Sequence, residues 1–286
     1  MEREVASGKK IDSSGHGPRC ERDGKKLGGV DVAENLEGRV ALVTGASKGI
    51  GSAITARLIA GGASVIAHYG EDRAGAELAT EGASSDQAIL IGANLASEGG
   101  YATLWDQAKS WKGRVDILIA NAAVMPEASL EDSEELWLEA FDQALQVNVR
   151  STALLIRKAV NHYLEIGGGT IIGMTSWAAQ QGSGNPRLSG YAASKAPIAA
   201  LLKTVARAYG KSGIFAYLIA PGIVRTAMSE NSAKSMGGEE VITARLAMGE
   251  WVPPEEIAEL TAFLASGKNR HLSGATFDVN GATYIR

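Results

Sequence analysis

Tyr191 and Lys195 are two residues whose types and spacing could carry out proton transfer. They lie four positions apart in a segment of helical character, so they would share one face of a helix. A free tyrosine has a pKa of about 10 and is a poor base at neutral pH, but a nearby ammonium favours the phenolate and lowers that pKa. Such a pair can protonate a developing alkoxide or take the proton from an alcohol.

A glycine-rich turn follows the first apolar run of the chain, Val40–Val43, and precedes a helical segment. Glycine permits the positive φ that a tight strand-to-helix turn needs, and it lets a pyrophosphate approach bare backbone at a helix N-terminus. Its place in the first strand-turn-helix unit indicates dinucleotide binding. The turn contains Gly45, Ser47, Lys48, Gly49, Ile50 and Gly51.

The elements that must position these groups are visible as short apolar runs that alternate with longer amphipathic segments. We expect seven strands, at Val40–Val43, Ser64–Ala67, Ala88–Ile91, Val115–Ile119, Thr170–Met174, Phe215–Ile219 and Ala275–Val279. We expect helices at Ile50–Ala60, Arg73–Ala83, Tyr101–Ser110, Ser133–Leu164, Tyr191–Tyr209 and Glu255–Leu264. Uniformly apolar strands between crossover helices predict an α/β fold, a Rossmann-type doubly wound seven-stranded parallel sheet with helices on both faces.

Length and composition set the outer limits of this interpretation. The 286 residues suffice for a single large domain at 38–286, and residues 1–37, which are polar and lack periodicity, predict a flexible arm. A net charge of -4 disfavours nucleic acid and anionic membrane surfaces as partners. The single cysteine and the absence of close His or Cys clusters predict no disulfide, no metal site and a cytoplasmic location.

The glycine spacing, together with Tyr191-Ala192-Ala193-Ser194-Lys195, resembles the short-chain dehydrogenase/reductase family, and in particular its 3-oxoacyl-(acyl-carrier-protein) reductases. The resemblance runs from about Glu37 to Ile285. Two segments depart from the family pattern. The Asn-Asn-Ala-Gly segment reads Ala120-Asn121-Ala122-Ala123, and Asn94 stands where an acidic residue usually lies near the adenine.

The resemblance implies a catalytic set of Asn148, Ser176, Tyr191 and Lys195. Ser176 would hydrogen-bond the substrate oxygen, Asn148 would help to position a water linked to Lys195, and Lys195 would also hold the nicotinamide ribose. The remaining expected contacts to NADP or NAD are His68, Tyr69, Gly70, Asn94, Leu95, Asn121, Ala122, Pro221, Gly222, Val224 and Thr226.

The choice between NADP and NAD depends on the group that meets the ribose 2′ position at the end of the second strand. An acidic residue there favours the 2′-hydroxyl, and a basic residue favours a 2′-phosphate. The segment His68-Tyr69-Gly70 has no acid, and Lys48 precedes the second glycine of the turn, which favours NADP. The alternative is that Lys48 is simply solvated and that Glu71 or Asp72 reaches the ribose.

Two further features bear on the chemistry. Pro197 removes the helical partner of the Ala193 carbonyl, which predicts either a local bend after Lys195 or a proline that is tolerated without consequence near the start of a helix. The stretch from Ile223 to Trp251, with Met228, Met236 and Met248, predicts either a mobile lid over the substrate or a helical hairpin whose methionines fill core gaps.

Three functions remain open at this point. The first is NADPH-dependent reduction of a ketone or 3-oxoacyl carbonyl by a homotetramer or homodimer, as the resemblance implies. The second is an NAD-dependent alcohol or sugar dehydrogenase, and the third is a dinucleotide-binding sensor without catalysis, because a fold alone does not establish activity.

Overall fold

The computed structural model describes residues 35–285 of the chain. Most of the predicted arm, residues 1–37, lies outside that range. Leu36 lies inside it, with a fully buried side chain and a backbone N–H that donates to the carbonyl of Gly61 at 2.8 Å. The folded part of the chain therefore extends at least to Leu36.

The seven predicted strands are confirmed as one parallel sheet. The strands are β1 (Val40–Val43), β2 (Ser64–Tyr69), β3 (Ala88–Gly92), β4 (Ile117–Ala120), β5 (Gly169–Met174), β6 (Ile214–Pro221) and β7 (Thr276–Val279). Their order across the sheet is β3-β2-β1-β4-β5-β6-β7, and every neighbouring pair is parallel. The order reverses between β1 and β4, which is where ligands of doubly wound sheets bind.

Helices cover both faces of the sheet. They are α1 (Gly49–Ala60), α2 (Arg73–Ala79), α3 (Gly100–Lys112), α4 (Glu134–Ala144), α5 (Thr152–Ile166), α6 (Ala178–Gln181), α7 (Ser189–Lys195), α8 (Pro197–Tyr209), α9 (Ala227–Ser235), α10 (Glu239–Thr243) and α11 (Pro254–Ala265). Side chains of successive strand residues point to opposite faces, so Leu42 joins the core under α3, α5 and α8 while Val43 joins the core under α1 and α11.

The long helix predicted over Ser133–Leu164 is interrupted. Between α4 and α5, the backbone widens into a π-helical turn at Leu145–Ser151, and Asn148 lies in the middle of that turn. The amphipathic period continues through the widened turn, so the sequence pattern did not reveal it. Turns of this kind often mark functional sites.

The helix predicted over Tyr191–Tyr209 is divided at Ala196, as expected from Pro197. The first part ends at Lys195, and the second begins with Pro197 at its first position, where a missing N–H costs nothing. The division leaves the carbonyl groups of the last turn of α7 in need of other partners.

The region from Ile223 to Trp251 contains α9 and α10 with a small apolar core of its own. Trp251 and Met236 contribute to that core, whereas Met228 and Met248 are exposed. The base of the region is closed by a parallel bridge between Val224 and Val252. The region therefore has the helices of the hairpin alternative but packs only one of the three methionines inside, and the mobile lid stays a prediction. No helix within residues 35–285 has the length and apolar character that crossing a membrane would require.

Candidate active site

Tyr191 and Ser176 meet at the carboxyl edge of the sheet. Tyr191 lies on α7, and Ser176 lies two residues after the end of β5. Burial raises the pKa of the Tyr191 phenol, and a hydrogen bond with the Ser176 side chain acts in the opposite direction. The phenol is therefore protonated at neutral pH, which is the state that a proton donor needs.

Lys195 occupies the same face of α7 as Tyr191 and is 94 % buried, with 6 % of its surface exposed. Burial lowers the pKa of its ammonium to about 8. Among residues 35–285, no carboxylate lies within ion-pair distance of this ammonium. A buried cation without a protein counter-charge is suited to hold a polar or anionic ligand group.

Ser176 is held in place by the backbone around it. The Ser176 Oγ accepts a hydrogen bond from the N–H of Ala178 at 3.2 Å, and the N–H of Trp177 donates to the carbonyl of Pro221 at 3.1 Å. Neither of these two bonds uses the hydroxyl hydrogen of Ser176, so this hydrogen can be donated to Tyr191 or to a substrate oxygen.

Asn148 acts through other residues. Its Nδ2 donates to the Val124 carbonyl and to Ser194 Oγ, both at 2.9 Å, and its Oδ1 accepts from the Val124 N–H at 2.8 Å. Both of its N–H donors are thus used within the protein. Asn148 fixes the segment after β4 against α7, and it lies within the network that surrounds Tyr191.

Ser194 and Thr175 are two positioning residues that the sequence analysis did not identify. Ser194 Oγ accepts from Asn148 and donates to the carbonyl of Tyr191 at 2.7 Å. Thr175 Oγ1 donates to the carbonyl of Lys195 at 2.9 Å. Each hydroxyl adjoins a candidate catalytic residue in the sequence, which is a signal that could have suggested their role.

The glycine turn has the shape of a cradle for a dinucleotide. Gly45 and Gly49 have φ of 69° and 52°, a region that favours glycine. A Cβ at Gly51 would lie 2.0 Å from the Gly45 carbonyl oxygen, and one at Gly49 would lie 2.7 Å from Thr226 Cγ2. The backbone therefore approaches too closely for side chains, and no side chain of the N-cap residue Lys48 caps the N-terminus of α1, so the residues present fit a pyrophosphate.

Asn121 and Thr44 brace this turn from behind. Asn121 Nδ2 donates to the carbonyls of Thr44 and Gly45 at 2.9 and 3.1 Å. Thr44 Oγ1 accepts from the N–H groups of Asn121 and Ala122, both at 3.0 Å. Although this segment reads Ala120-Asn121-Ala122-Ala123 in place of Asn-Asn-Ala-Gly, Asn121 still holds the glycine turn through these hydrogen bonds.

His68 also braces the glycine turn. Its side chain is 2 % exposed and lies in the core. Its Nδ1 accepts from the Gly45 N–H at 3.1 Å, so its Nε2 carries the hydrogen that is donated to the Ala93 carbonyl at 3.0 Å. Burial lowers the pKa of this imidazole and keeps it neutral. Both ring nitrogens are occupied by protein groups, so any contact of His68 with a cofactor would come from its backbone.

Lys48 and Asp72 form an ion pair beside the turn, with 3.0 Å between Nζ and Oδ2. Ser47 Oγ donates to the Asp72 carbonyl at 2.7 Å. Tyr69 is the last residue of β2, and its side-chain hydroxyl interacts with the guanidinium of Arg73. The exposed Gly70 completes the edge where the ribose 2′ position is expected.

The other expected cofactor contacts lie along the same edge. The Asn94 Oδ1 accepts from the Ala96 N–H at 2.8 Å, and the Leu95 side chain is buried in the core. Across the cleft, the Gly222 N–H donates to the Val279 carbonyl at 2.9 Å. Thr226 caps α9 by accepting from the Ser229 N–H at 3.3 Å.

A separate cavity of about 550 Å³ opens along the flank of α7. Ser189, Ala192, Ala193 and Ala196 line it on one side, and the loop at 182–186 lines it on the other. These helix positions form a stripe distinct from that of Tyr191 and Lys195. The cavity therefore lies beside Tyr191 and Lys195 and is not lined by either of them.

The chain matches the family described as enoyl-(acyl carrier protein) reductase over residues 45–282. It is 34 % identical to cis-4-hydroxycyclohexanecarboxylate dehydrogenase of Sinomonas cyclohexanicum, over 87 % of this chain and 98 % of that protein. A short-chain dehydrogenase of Burkholderia cenocepacia, solved in complex with NADP, superposes with a TM-score of 0.78 at 30 % identity, over 87 % of this chain and 99 % of that one.

A 3-ketoacyl-(acyl-carrier-protein) reductase of Brucella melitensis, solved with NADH, gives a TM-score of 0.76 at 30 % identity, over 87 % of this chain and all of that one. The fold, the glycine cradle and the Ser176, Tyr191 and Lys195 cluster agree with these similarities. The chain belongs to the short-chain dehydrogenase/reductase family of NAD(P)-dependent oxidoreductases, which act on CH–OH and C=O groups.

Proposed function

We propose that this protein is an NADPH-dependent reductase that converts a ketone or 3-oxoacyl carbonyl to a hydroxyl. The main supporting observation is that the Tyr191 phenol interacts with the Ser176 side chain, and that Tyr191 shares a face of α7 with Lys195. The nicotinamide supplies the hydride when it is bound. Ser176 donates a hydrogen bond to the substrate oxygen, and Tyr191 gives its phenolic proton to the same oxygen as negative charge develops there.

Lys195 supports this step in two ways. Its ammonium would hold the hydroxyls of the nicotinamide ribose, and its positive charge would stabilise the phenolate that remains once Tyr191 has given up its proton. The raised pKa of Tyr191 favours the protonated phenol at the start of the reaction, which is the form that reduction uses.

NADPH is favoured over NADH by Lys48, whose side chain is 70 % exposed at the edge of the turn. An NAD-dependent alcohol or sugar dehydrogenase is the second candidate, because Asp72 lies against Lys48 and is available to accept from a ribose 2′-hydroxyl. The similarity to a hydroxycyclohexanecarboxylate dehydrogenase supports the same candidate.

We further infer a cytoplasmic homodimer or homotetramer that uses a small-molecule substrate. The single cysteine supports a reducing compartment. Leu136, Leu138 and Leu164 on α4 and α5 are exposed apolar side chains, which supports burial of these helices against another copy. Sedimentation of the purified protein measures this assembly directly.

The test of the reaction is NADPH oxidation, followed by absorbance, across a panel of ketones and 3-oxoacyl esters with wild type and Tyr191→Phe. We expect turnover by wild type, loss of turnover in Tyr191→Phe and retained NADPH binding. Tyr209→Phe, which changes a tyrosine at the far end of α8, is the matched control and should behave as wild type. Binding without turnover of any carbonyl or alcohol would favour the sensor alternative.

A further inference from the structure

The helix that carries Tyr191 is weak by its own sequence. It spans only the seven residues Ser189–Lys195, and no side chain caps its start. Gly190 lies in its first turn, where glycine is a poor helix former, and Pro197 begins a separate helix just beyond its end. A helix this short is marginal without tertiary support. The orientation of Tyr191 therefore depends on the groups that pack against α7.

The helix α4 is better stabilised at its start. The Ser133 Oγ accepts from the Leu136 N–H at 3.4 Å and caps the helix. Its first turn carries Glu134 and Glu135, whose charges suit the positive end of the helix dipole. The helix continues directly into the π-helical turn at Leu145–Ser151. Side chains on α4 are therefore mounted on a firm backbone.

Two aromatic side chains of α4 contact the start of α7. Trp137 and Phe141 are stacked, with ring centroids 4.6 Å apart and an interplanar angle of 15°. The Trp137 Nε1 donates to the Ser189 Oγ at 3.3 Å. A Cβ at Gly190 would lie 3.3 Å from Phe141 Cδ2 and 3.5 Å from Phe141 Cα. The first turn of α7 thus packs directly on this aromatic pair.

Tyr191 comes directly after the two residues of α7 that contact the pair. Its partner Ser176 follows β5 and does not lie on the helix, so a shift of the first turn of α7 moves one hydroxyl relative to the other. The far end of α7 is held separately, by the hydrogen bonds to Ser194 and to the Lys195 carbonyl. The aromatic pair therefore supports the end that is nearer to Tyr191.

We propose that Trp137 is a positioning residue for proton transfer by Tyr191. It acts through Ser189, whose hydroxyl it binds, and through Phe141, on which its ring is stacked. The phenol is thereby held against Ser176, so that both hydroxyls meet the same substrate oxygen. This inference rests on the proposed function, which makes Tyr191 the proton donor.

The first test is steady-state kinetics with NADPH and ethyl 3-oxobutanoate, a 3-oxoacyl ester. Trp137→Phe removes the donor but keeps a ring on Phe141, and Ser189→Ala removes the acceptor. We expect kcat to fall roughly three- to tenfold in each variant, while KM for the ester and Kd for NADPH stay within about twofold of wild type. The double variant should be no slower than the slower single variant, because both substitutions break the same hydrogen bond.

Two control variants accompany this test. Ser189→Thr keeps the hydroxyl and should keep kcat near wild type, since Ser189 lines the cavity beside α7 and leaves room for a methyl group. Trp111→Phe changes a partly buried tryptophan of α3 and should also leave kcat near wild type. The proposal is overturned if kcat is unchanged in Trp137→Phe, or if it falls equally in Ser189→Ala and Ser189→Thr. A Kd for NADPH that rises as much as kcat falls would indicate a general loss of structure and also overturn it.

The second test follows the Tyr191 phenol without turnover. Tyrosine labelled with a carbon isotope at Cζ is incorporated, and the NMR signal of Tyr191 is assigned among the seven tyrosines by its loss in Tyr191→Phe. We expect this signal to shift in Trp137→Phe and Ser189→Ala, and to stay in place in Trp111→Phe and Ser189→Thr. Ser189→Ala alters no aromatic ring, so a shift in that variant reports a displaced phenol. An unmoved signal in Ser189→Ala contradicts the proposal.

These two readouts separate the proposal from the proposed function. If wild type turns over no carbonyl or alcohol, the reductase assignment fails, and the NMR signal alone decides whether Trp137 positions Tyr191. If wild type reduces the ester while Ser189→Ala alters neither kcat nor the Tyr191 signal, the reductase assignment stands and the role of Trp137 is removed.

Discussion

The hydroxyl of Thr175 donates a hydrogen bond to the main-chain carbonyl of Lys195 across 2.9 Å. The N–H of Ala199, which in an unbroken helix would be the partner of that carbonyl, donates instead to Ala196 at 3.1 Å. Thr175 precedes Ser176, so the end of β5 is tied directly to the residue that ends α7. The Ser176 hydroxyl and the buried Lys195 ammonium are thereby kept in register.

Thr175→Val should lower the free energy of unfolding by about 1–3 kcal/mol, because a buried carbonyl loses its partner while the shape of the side chain is retained. It should also reduce kcat through displacement of Lys195. Thr175→Ser is the matched control, since it keeps the hydroxyl. Urea unfolding and steady-state kinetics measure both effects, and equal behaviour of the two variants would contradict the role of the hydrogen bond.

Asn148→Ala removes three hydrogen bonds, two between Asn148 and the Val124 backbone and one between Asn148 and the Ser194 hydroxyl. We expect kcat to fall roughly ten- to a hundredfold, because small displacements of catalytic groups carry large penalties. The protein should also unfold at lower urea concentration. Asn161→Ala, an exposed position on α5, is the control and should leave both quantities near wild type. An unaltered kcat in Asn148→Ala would show that α7 is positioned without this network.

Cofactor affinity should depend on pH through Lys195. Burial lowers the pKa of this ammonium to about 8, so the group loses its proton as the pH rises past that value. Only the protonated form carries the charge and three N–H donors. The Kd for NADPH, measured by fluorescence between pH 7 and pH 9.5, should therefore rise from about pH 8 upward. Lys195→Met should bind NADPH more weakly than wild type at pH 7, and its Kd should show no inflection near pH 8. A wild-type Kd that does not change with pH would argue against this role of Lys195.

His162 should make the fold sensitive to acid. Its imidazole is 3 % exposed, and its Nε2 accepts from the Val115 N–H at 3.2 Å, so a proton on Nε2 would place two donors against each other. Burial, followed by the charge of Lys109, lowers its pKa, while Glu165 and Asp116 act in the opposite direction.

The sign of the effect follows from the two pKa values of His162. The unfolded chain binds the proton more tightly, with a pKa of about 6.5, so the stability that His162 contributes is complete above that pH and is lost as the pH falls below it. Urea midpoints at pH 7.5 and pH 5.5 should differ less in His162→Gln than in wild type, with part of the loss remaining from His68. His271→Gln, at an exposed position, should match wild type.

The sheet and the glycine turn could be predicted from the sequence, because apolar runs and glycine spacing follow from local backbone requirements. The candidate roles of Asn148 and Ser176 came from the family resemblance and stay predictions. The inward orientation of His68 could not, since its partners Gly45 and Ala93 come from other parts of the chain. The ion pair between Lys48 and Asp72 could not be predicted either, because the two residues lie on different turns of the chain. The predicted helix over Arg73–Ala83 ends at Ala79, where the Thr80 hydroxyl bonds back to Ala76 and chain direction changes.

The last strand has a consequence for the order of events during synthesis. The Gly222 N–H donates to the Val279 carbonyl at 2.9 Å, and a Cβ at Gly222 would lie 2.6 Å from Asn280 Cβ, so the loop after β6 is shaped against the end of β7. Asn280 in turn donates to the carbonyl of Tyr284 at 2.9 Å. A nascent chain can assemble β1 and the glycine turn early, but the loop at Gly222 takes its shape only after β7 and Asn280 have been synthesised. The two walls of the cleft are therefore completed at different stages of synthesis.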